Sequence, residues 1–242
     1  MQPENESMFC TIIIARYPKY LGVFGFMSMA IFRLPLFFNK KIKFYKLMGS
    51  GKNGTFDLTP DLNQWAMLFT TENMQDKMPG FIYSYFKFFK CSLKEFLLQP
   101  IEGHGLWDKK KVFGELKNKL SDDEVIATLT RATIRLSRLK NFWSNVAGVA
   151  NKMATAKGLI ASFGIGEAPW IKQATFSIWE NKSAMKDFAY SMQEHSTVIK
   201  KTRSENWYKE ELFVRFRIIS VKGFAKDIEA KMLILQPSYD KA

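Results

Sequence analysis

The stretch Val125-Ile126-Ala127-Thr128-Leu129-Thr130-Arg131-Ala132-Thr133-Ile134-Arg135 decides how the fold is read. It is dense in β-branched residues, which suit a pleated, half-buried surface, and it predicts a strand. The period then changes. Across residues 136–154, Leu139, Phe142, Trp143, Val146, Val149 and Ala150 recur at the spacing of one helix face. Residues 158–165 predict a second strand ending in Gly164-Ile165-Gly166, and a turn with Pro169 leads to a third at 172–179. Residues 181–203 predict a second helix with Asn181 at its cap, and 207–220 a closing strand. The order βαββαβ is that of a ferredoxin-like unit.

Working outward, the first half follows the same order less cleanly. Strands are predicted at 8–16, 42–48, 64–71 and 93–101, with helices at 19–38, broken near Pro35, and at 74–91. Landmarks recur at matching places. Gly49-Ser50-Gly51 echoes Gly164-Ile165-Gly166, and Glu72-Asn73 ends a strand as Glu180-Asn181 does, each Asn placed to cap a helix. The expected fold class is α+β: two tandem ferredoxin-like βαββαβ repeats forming a pseudo-dimeric α/β barrel, sheet against sheet with the helices outside. The expected boundaries are 1–101 for the first repeat, a polar linker at 102–122, 123–223 for the second repeat and a tail at 224–242.

The 242 residues, 47% hydrophobic and 24% charged, are those of a globular protein with material for a core. The 22 Phe, 6 Trp and 8 Tyr suit either a Phe-rich core or a wide apolar pocket. The net charge of +13 is spread along the chain, with the tightest runs at Asn39-Lys40-Lys41 and Lys109-Lys110-Lys111. Neither a zinc-knuckle spacing nor an RNP-like aromatic box accompanies it, so a solvated basic surface is favoured, anionic lipid comes second and nucleic acid is not expected. Two cysteines, Cys10 and Cys91, give no disulfide framework and point to free thiols in a reducing, cytoplasmic setting. The polar, acidic N-terminus does not read as a signal peptide. Residues 21–38 are apolar but hold Gly22, Gly25, Arg33 and Pro35, so a buried or surface-attached helix is expected rather than a membrane span.

Several motifs can be set aside. Gly49-Ser50-Gly51-Lys52-Asn53-Gly54 matches G-x-G-x-x-G, but Thr55 to Pro60 reads as loop where a dinucleotide site needs a helix start. No G-x-S-x-G or H-E-x-x-H occurs, and two His with two scattered Cys make a zinc site a poor reading. His104, between two glycines, is expected to be exposed. His195 continues the stripe Met185, Phe188, Met192, His195, Ile199, so it faces the sheet either as an iron ligand or as a histidine bonded to a backbone carbonyl. Arg131, Thr133 and Arg135 share one strand face, Arg215 lies in the closing strand, and Arg203 lies one turn beyond Ile199. Arginines facing a helix layer need an anionic partner, which a surface carboxylate would also supply.

At these residues the chain resembles the spheroidene monooxygenase family. The match runs through Thr130-Arg131-Ala132-Thr133-Ile134-Arg135, Phe142-Trp143, Gly164-Ile165-Gly166-Glu167-Ala168-Pro169, Thr175-Phe176-Ser177-Ile178-Trp179, His195 and residues 207–216, and is thin before residue 125. The resemblance implies a haem b monooxygenase that uses O2 and an external electron donor, a ferredoxin or reductase, on an acyclic carotenoid or, in other members, an amine nitrogen. It implies His195 as the iron ligand, in the manner of chlorite dismutases and aldoxime dehydratases, where haem sits between sheet and helices. Arg131, Thr133 and Arg215 are then expected on the catalytic wall. Arg135, Arg203, Phe163, Phe176 and Phe213 are expected to line the cofactor. A dehydratase or peroxidase on the same scaffold, or a non-enzymatic haem-carrying barrel, remains open, as do a homodimer and peripheral membrane contact.

Overall fold

The computed structural model describes residues 8–52, 59–116, 120–153, 155–191, 202, 204–226, 228–229 and 232. Eight strands carry the fold: β1 (Phe9–Arg16), β2 (Phe44–Gly51), β3 (Pro60–Thr71), β4 (Ser92–Gly105), β5 (Ile126–Ile134), β6 (Leu159–Ala168), β7 (Lys172–Trp179) and β8 (Tyr208–Lys222). Between them lie α1 (Gly22–Ile31), α2 (Arg33–Phe37), α3 (Gly80–Phe88), α4 (Leu139–Met153) and α5 (Lys182–Lys186). All neighbouring strands pair antiparallel and close into one barrel, in the order β1-β3-β2-β6-β7-β5-β8-β4. The expected barrel is present, and its two halves join edge to edge along two seams. Closure leaves no free strand edge to pair with another chain.

The glycine motifs that mark the internal echo meet at one of the two seams. Gly49 pairs with Gly166 and Ser50 with Ile165, and the Ser50 hydroxyl donates to the Gly164 carbonyl at 2.8 Å. A Cβ at Gly166 would stand 2.8 Å from the Lys172 carbonyl oxygen. Gly166 thus permits close approach of β6 to β7, and the motif makes no phosphate-binding turn, since Gly49 and Gly51 lie within β2.

Alternation along each strand sends one set of side chains inward. Ile12, Leu68, Leu98, Leu129, Phe176 and Val214 belong to a single core that fills the barrel. The expected linker and tail contribute to this core. Trp107 is completely buried, Phe113 packs edge-on against Phe216 at 5.3 Å, Phe224 meets Phe96 at 5.7 Å, and Met232 is completely buried. Within residues 102–122 the polar majority hid Trp107 and Phe113. The strand β4 also runs on to Gly105, so His104 lies in a strand, opposite Phe213, and is exposed.

The helix starts depart from the repeat pattern for local reasons. Asn181 caps α5, accepting from the Ala184 amide at 2.8 Å. Asn73 instead accepts from the Gln75 amide in a tight turn, and α3 begins only after Pro79, which fixes the backbone ahead of the first turn. Pro35 sits in the first turn of α2, where its missing N–H costs nothing, and Phe32 separates α1 from α2. After α5 the chain makes a π-helical turn, Asp187–Ser191, and the remainder of the expected helix lies largely outside the described residues.

Candidate functional site

The two faces of the second-half sheet separate the predicted site residues. Arg131 and Thr133 alternate with Thr130 and Ala132 and project inward with Leu129; Phe163 and Phe176 lie in the barrel core at 6% and 0% exposure. Phe213 and Arg215 alternate with Leu212, Val214 and Phe216 and project outward. The predicted residues therefore do not form one wall. Arg135 lies past a register shift at the end of β5, exposed, with the Asn206 side-chain oxygen at 3.5 Å. His195 and Arg203 lie outside the described residues.

Arg131 closes one end of the barrel. Its side chain is 1% exposed and contacts Glu210, Glu167 at 3.2 Å and Asp108 at 3.8 Å. Its guanidinium lies 5.5 Å from the Trp107 ring, and the Trp107 indole donates to Glu167 at 2.8 Å. Lys46 meets Asp108 and Glu167, and Lys172 meets Asp108 at 3.1 Å, so three cations and three carboxylates balance. Burial opposes ionisation of Glu210, but the Lys109 and Asp108 amides and Arg131 outweigh it and hold its carboxyl below the ordinary value. An arginine engaged in this way is a structural plug, which corrects its expected place on a catalytic wall with Arg215.

The outward face of β4, β8, β5, β7 and β6 is a floor of small and polar side chains. One row runs His104, Phe213, Thr130, Thr175, Gly164 across the five strands. The next runs Glu102, Arg215, Thr128, Ser177, Ser162. Thr130 is exposed although it lies in the middle of a strand with neighbours on both sides. Thr128 and Ser177 are buried and share a hydrogen bond of 2.7 Å, and the Trp179 indole donates to Ser177 at 2.9 Å.

Apolar side chains bound the floor at both ends. At one end Ile126, Trp179, Met185 and Phe188 pack together, with Met153 of α4 and Phe213 against them. At the other, Ile134, Phe142 and Trp207 do so. Arg215 donates to Glu102 at 2.9 Å and lies 4.7 Å from the Phe213 ring, while Lys182 meets Glu102 at 3.0 Å. Burial works against ionised Glu102, but Lys182 and Arg215 prevail and lower its pKa. The Arg215 Nε is buried and has no hydrogen-bond partner among the described residues.

The same face of the first half is filled. Ile13, Met67 and Phe69 point outward there and pack under Phe32, Ile82 and Phe86. The helix α1 rests directly on β3, because Gly22, Gly25 and Ser28 face the sheet. Among the described residues α4 makes no comparably close backbone approach to any strand. Among the described residues, one half of the molecule thus holds large side chains between sheet and helices, and the other presents Gly, Ser and Thr on a face that α4 meets closely only near Met153. No set of three His, Cys, Asp or Glu side chains able to hold a metal forms among the described residues.

The floor was missed in the sequence, yet its signal was there. Thr128-x-Thr130, Ser162-x-Gly164 and Thr175-x-Ser177 alternate with buried apolar residues, and the corresponding outward positions of the first half include Ile13, Met67 and Phe69.

The chain is 33% identical over 229 residues to the spheroidene monooxygenase of Cereibacter sphaeroides, covering 92% of this chain and 70% of the relative. It is 35% identical over 203 residues to that of Rhodobacter capsulatus, covering 81% and 83%. The protein of the same name from Rubrivivax gelatinosus is 30% identical over 191 residues, covering 76% and 72%. No family model matches the chain. Among solved structures, an aldoxime dehydratase superposes with a TM-score of 0.60 over 90% of this chain and 83% of that one, at 6% identity. An aldoxime dehydratase bound to butyraldoxime gives 0.55 over 94% and 84%, at 8% identity. At such identity the likeness is one of fold.

Proposed function

Because this chain belongs to the spheroidene monooxygenase family, we propose that it is a haem-dependent monooxygenase whose cofactor lies on the outward floor of the second half. We infer further that the two halves are tandem ferredoxin-like units, since the strand orders β4-β1-β3-β2 and β8-β5-β7-β6 correspond. One observation carries the cofactor reading: among the described residues, the first half packs large apolar side chains between sheet and helix, whereas the second presents a floor of small residues that α4 approaches less closely. A flat macrocycle needs such a gap, and apolar clusters at both ends would keep it dry.

The residues present fit haem. Phe213 would pack against the ring, and Thr130 would approach it from the floor. Among the described residues Arg215 has one buried N–H without a partner, and Arg135, which meets the Asn206 amide, is suited to a carboxylate of the cofactor. His195 is the residue proposed to hold the iron, on the strength of the family resemblance and its place in an apolar stripe; Arg203 is a second proposed carboxylate partner. Bound haem iron would supply O2 activation, which no side chain of this chain can perform. The chain itself would orient substrate against the floor, exclude water and donate hydrogen bonds from Thr130 and Arg215.

Electrons would come from a separate ferredoxin or reductase. The substrate is proposed to be a lipophilic or small organic molecule, oxidised at a carotenoid-like C–H or at an amine nitrogen. Incubation of the hemin-reconstituted protein with O2, a reductase system and an acyclic carotenoid is expected to give an oxygenated product containing label from 18O2. Product formation that persists without O2 would overturn the reading in favour of a dehydratase or peroxidase.

A further inference from the structure

The helix α1 is inside out for a helix on a water-facing surface. Gly22, Gly25 and Ser28 face the sheet, while Val23, Phe26 and Met27 are 58%, 65% and 47% exposed. A Cβ at Gly25 would lie 2.2 Å from the Trp65 Nε1, so the small face is the only one that can dock on β3. The apolar exposure continues at Phe37 and Phe38 of the α2 end, 71% and 73%, and at Phe81 and Phe88 of α3, 55% and 77%. The helices α1 and α3 lie side by side, joined by the stacked rings of Phe24 and Phe89 at 4.5 Å. A helix that is apolar on all sides needs an apolar neighbour on its outer side.

Charge identifies that neighbour. Residues 8–56 hold eight Lys or Arg, residues 77–94 hold four Lys, and neither segment holds a single Asp or Glu. Lys41 and Lys43 pair with Asp76 and Glu72, which lie between the two segments. Lys19, Arg33, Lys40, Lys77, Lys87 and Lys90 form no ion pair among the described residues, and all are exposed. A second copy of the chain would bring like charges together in a symmetric contact, which is repulsive. An anionic bilayer supplies both an apolar interior for the aromatic side chains and phosphates for the lysines. No helix among the described residues is long and apolar enough to cross a membrane, so the contact would be with the surface.

We propose that the α1–α2–α3 face of the first half docks on an anionic lipid bilayer, with Phe26, Phe37 and Phe88 entering the headgroup boundary and the surrounding lysines meeting lipid phosphate. The full chain is floated with vesicles of phosphatidylcholine alone or with about 30% phosphatidylglycerol. It is expected to rise with the anionic vesicles, to stay behind with the neutral ones and to be released by about 1 M salt. Phe26→Asp with Phe88→Asp should abolish flotation while leaving the melting temperature unchanged, because both side chains are exposed. Lys87→Gln and Lys90→Gln should each weaken partitioning about fivefold. Flotation unaltered by these substitutions, or equal flotation with neutral vesicles, overturns the proposal. So does a concentration-dependent dimer that Phe26→Asp with Phe88→Asp dissociates while vesicles remain bare.

Discussion

Replacing Arg131 by Met should cost stability and leave cofactor binding intact. The guanidinium is 1% exposed and faces carboxylates of Glu167 and Glu210 that are 12% and 17% exposed. Removing one partner of a buried ion pair costs about 3–5 kcal/mol, because the other charge is left uncompensated. The lower end applies here. Glu167 keeps Lys46 and the Trp107 indole, and Glu210 keeps the Asp108 and Lys109 amides at 3.0 and 2.7 Å. A loss of about 3 kcal/mol, against an unfolding entropy of about 0.5 kcal/mol/K for a chain of this size, lowers the melting temperature by about 6 °C.

The pH dependence of that loss is also fixed. Glu210 is held below its ordinary pKa by the Lys109 and Asp108 amides and by Arg131. The contribution of the Arg131–Glu210 pair is therefore complete above the unfolded carboxylate pKa of about 4 and disappears as pH falls through the lower folded value of Glu210. The gap between wild type and Arg131→Met should be full at neutral pH and close below about pH 4. Calorimetry across this range, with a hemin titration of the same samples, checks both halves. A melting temperature that does not move, together with lost hemin binding, would refute the plug and return Arg131 to the site.

Two further outcomes follow from packing and burial. Gly25→Ala places a methyl 2.2 Å from the Trp65 Nε1 and disturbs its bond to the Leu62 carbonyl at 2.7 Å, so despite better helix propensity it should lower stability by about 1–2 kcal/mol in thermal unfolding. Burial raises the Cys91 thiol to about 11 and pushes Cys10 further up, so at pH 8 neither should react with a disulfide reagent at the rate of a free thiol, until denaturant is added.

The fold was legible because its signals are local and repeated. Period-two runs marked the strands, and the span of β7 is the expected one. The echo of Gly49 and Gly51 in Gly164 and Gly166 pointed to a duplication, and those motifs pair across a seam. The barrel plugs were illegible, because Trp107, Phe113 and Met232 lie in segments too short and aperiodic to mark an element, and only long-range packing reveals where they go. For the site, alternation grouped Arg131 with Thr133 correctly but could not say whether that face looks into the barrel or out to the helices. Arg215, three strands' worth of chain away, required its own parity, set by Val214 and Phe216 in the core. Polar character drew attention to Arg131, whose charge is met by Glu167 and Glu210, and away from Thr130, which is small and exposed in the middle of its strand.

The claim that the second-half floor is the haem seat is tested most directly by titrating hemin into wild type, Thr130→Trp, His195→Ala and Phe163→Leu while recording the Soret band. The account predicts a bound spectrum for wild type and for Phe163→Leu, whose side chain lies inside the barrel. It predicts binding weakened at least about tenfold in Thr130→Trp, where the indole fills the gap, and an altered Soret position in His195→Ala. A Thr130→Trp protein that binds hemin like wild type, or a Phe163→Leu protein that alone loses it, would contradict the account.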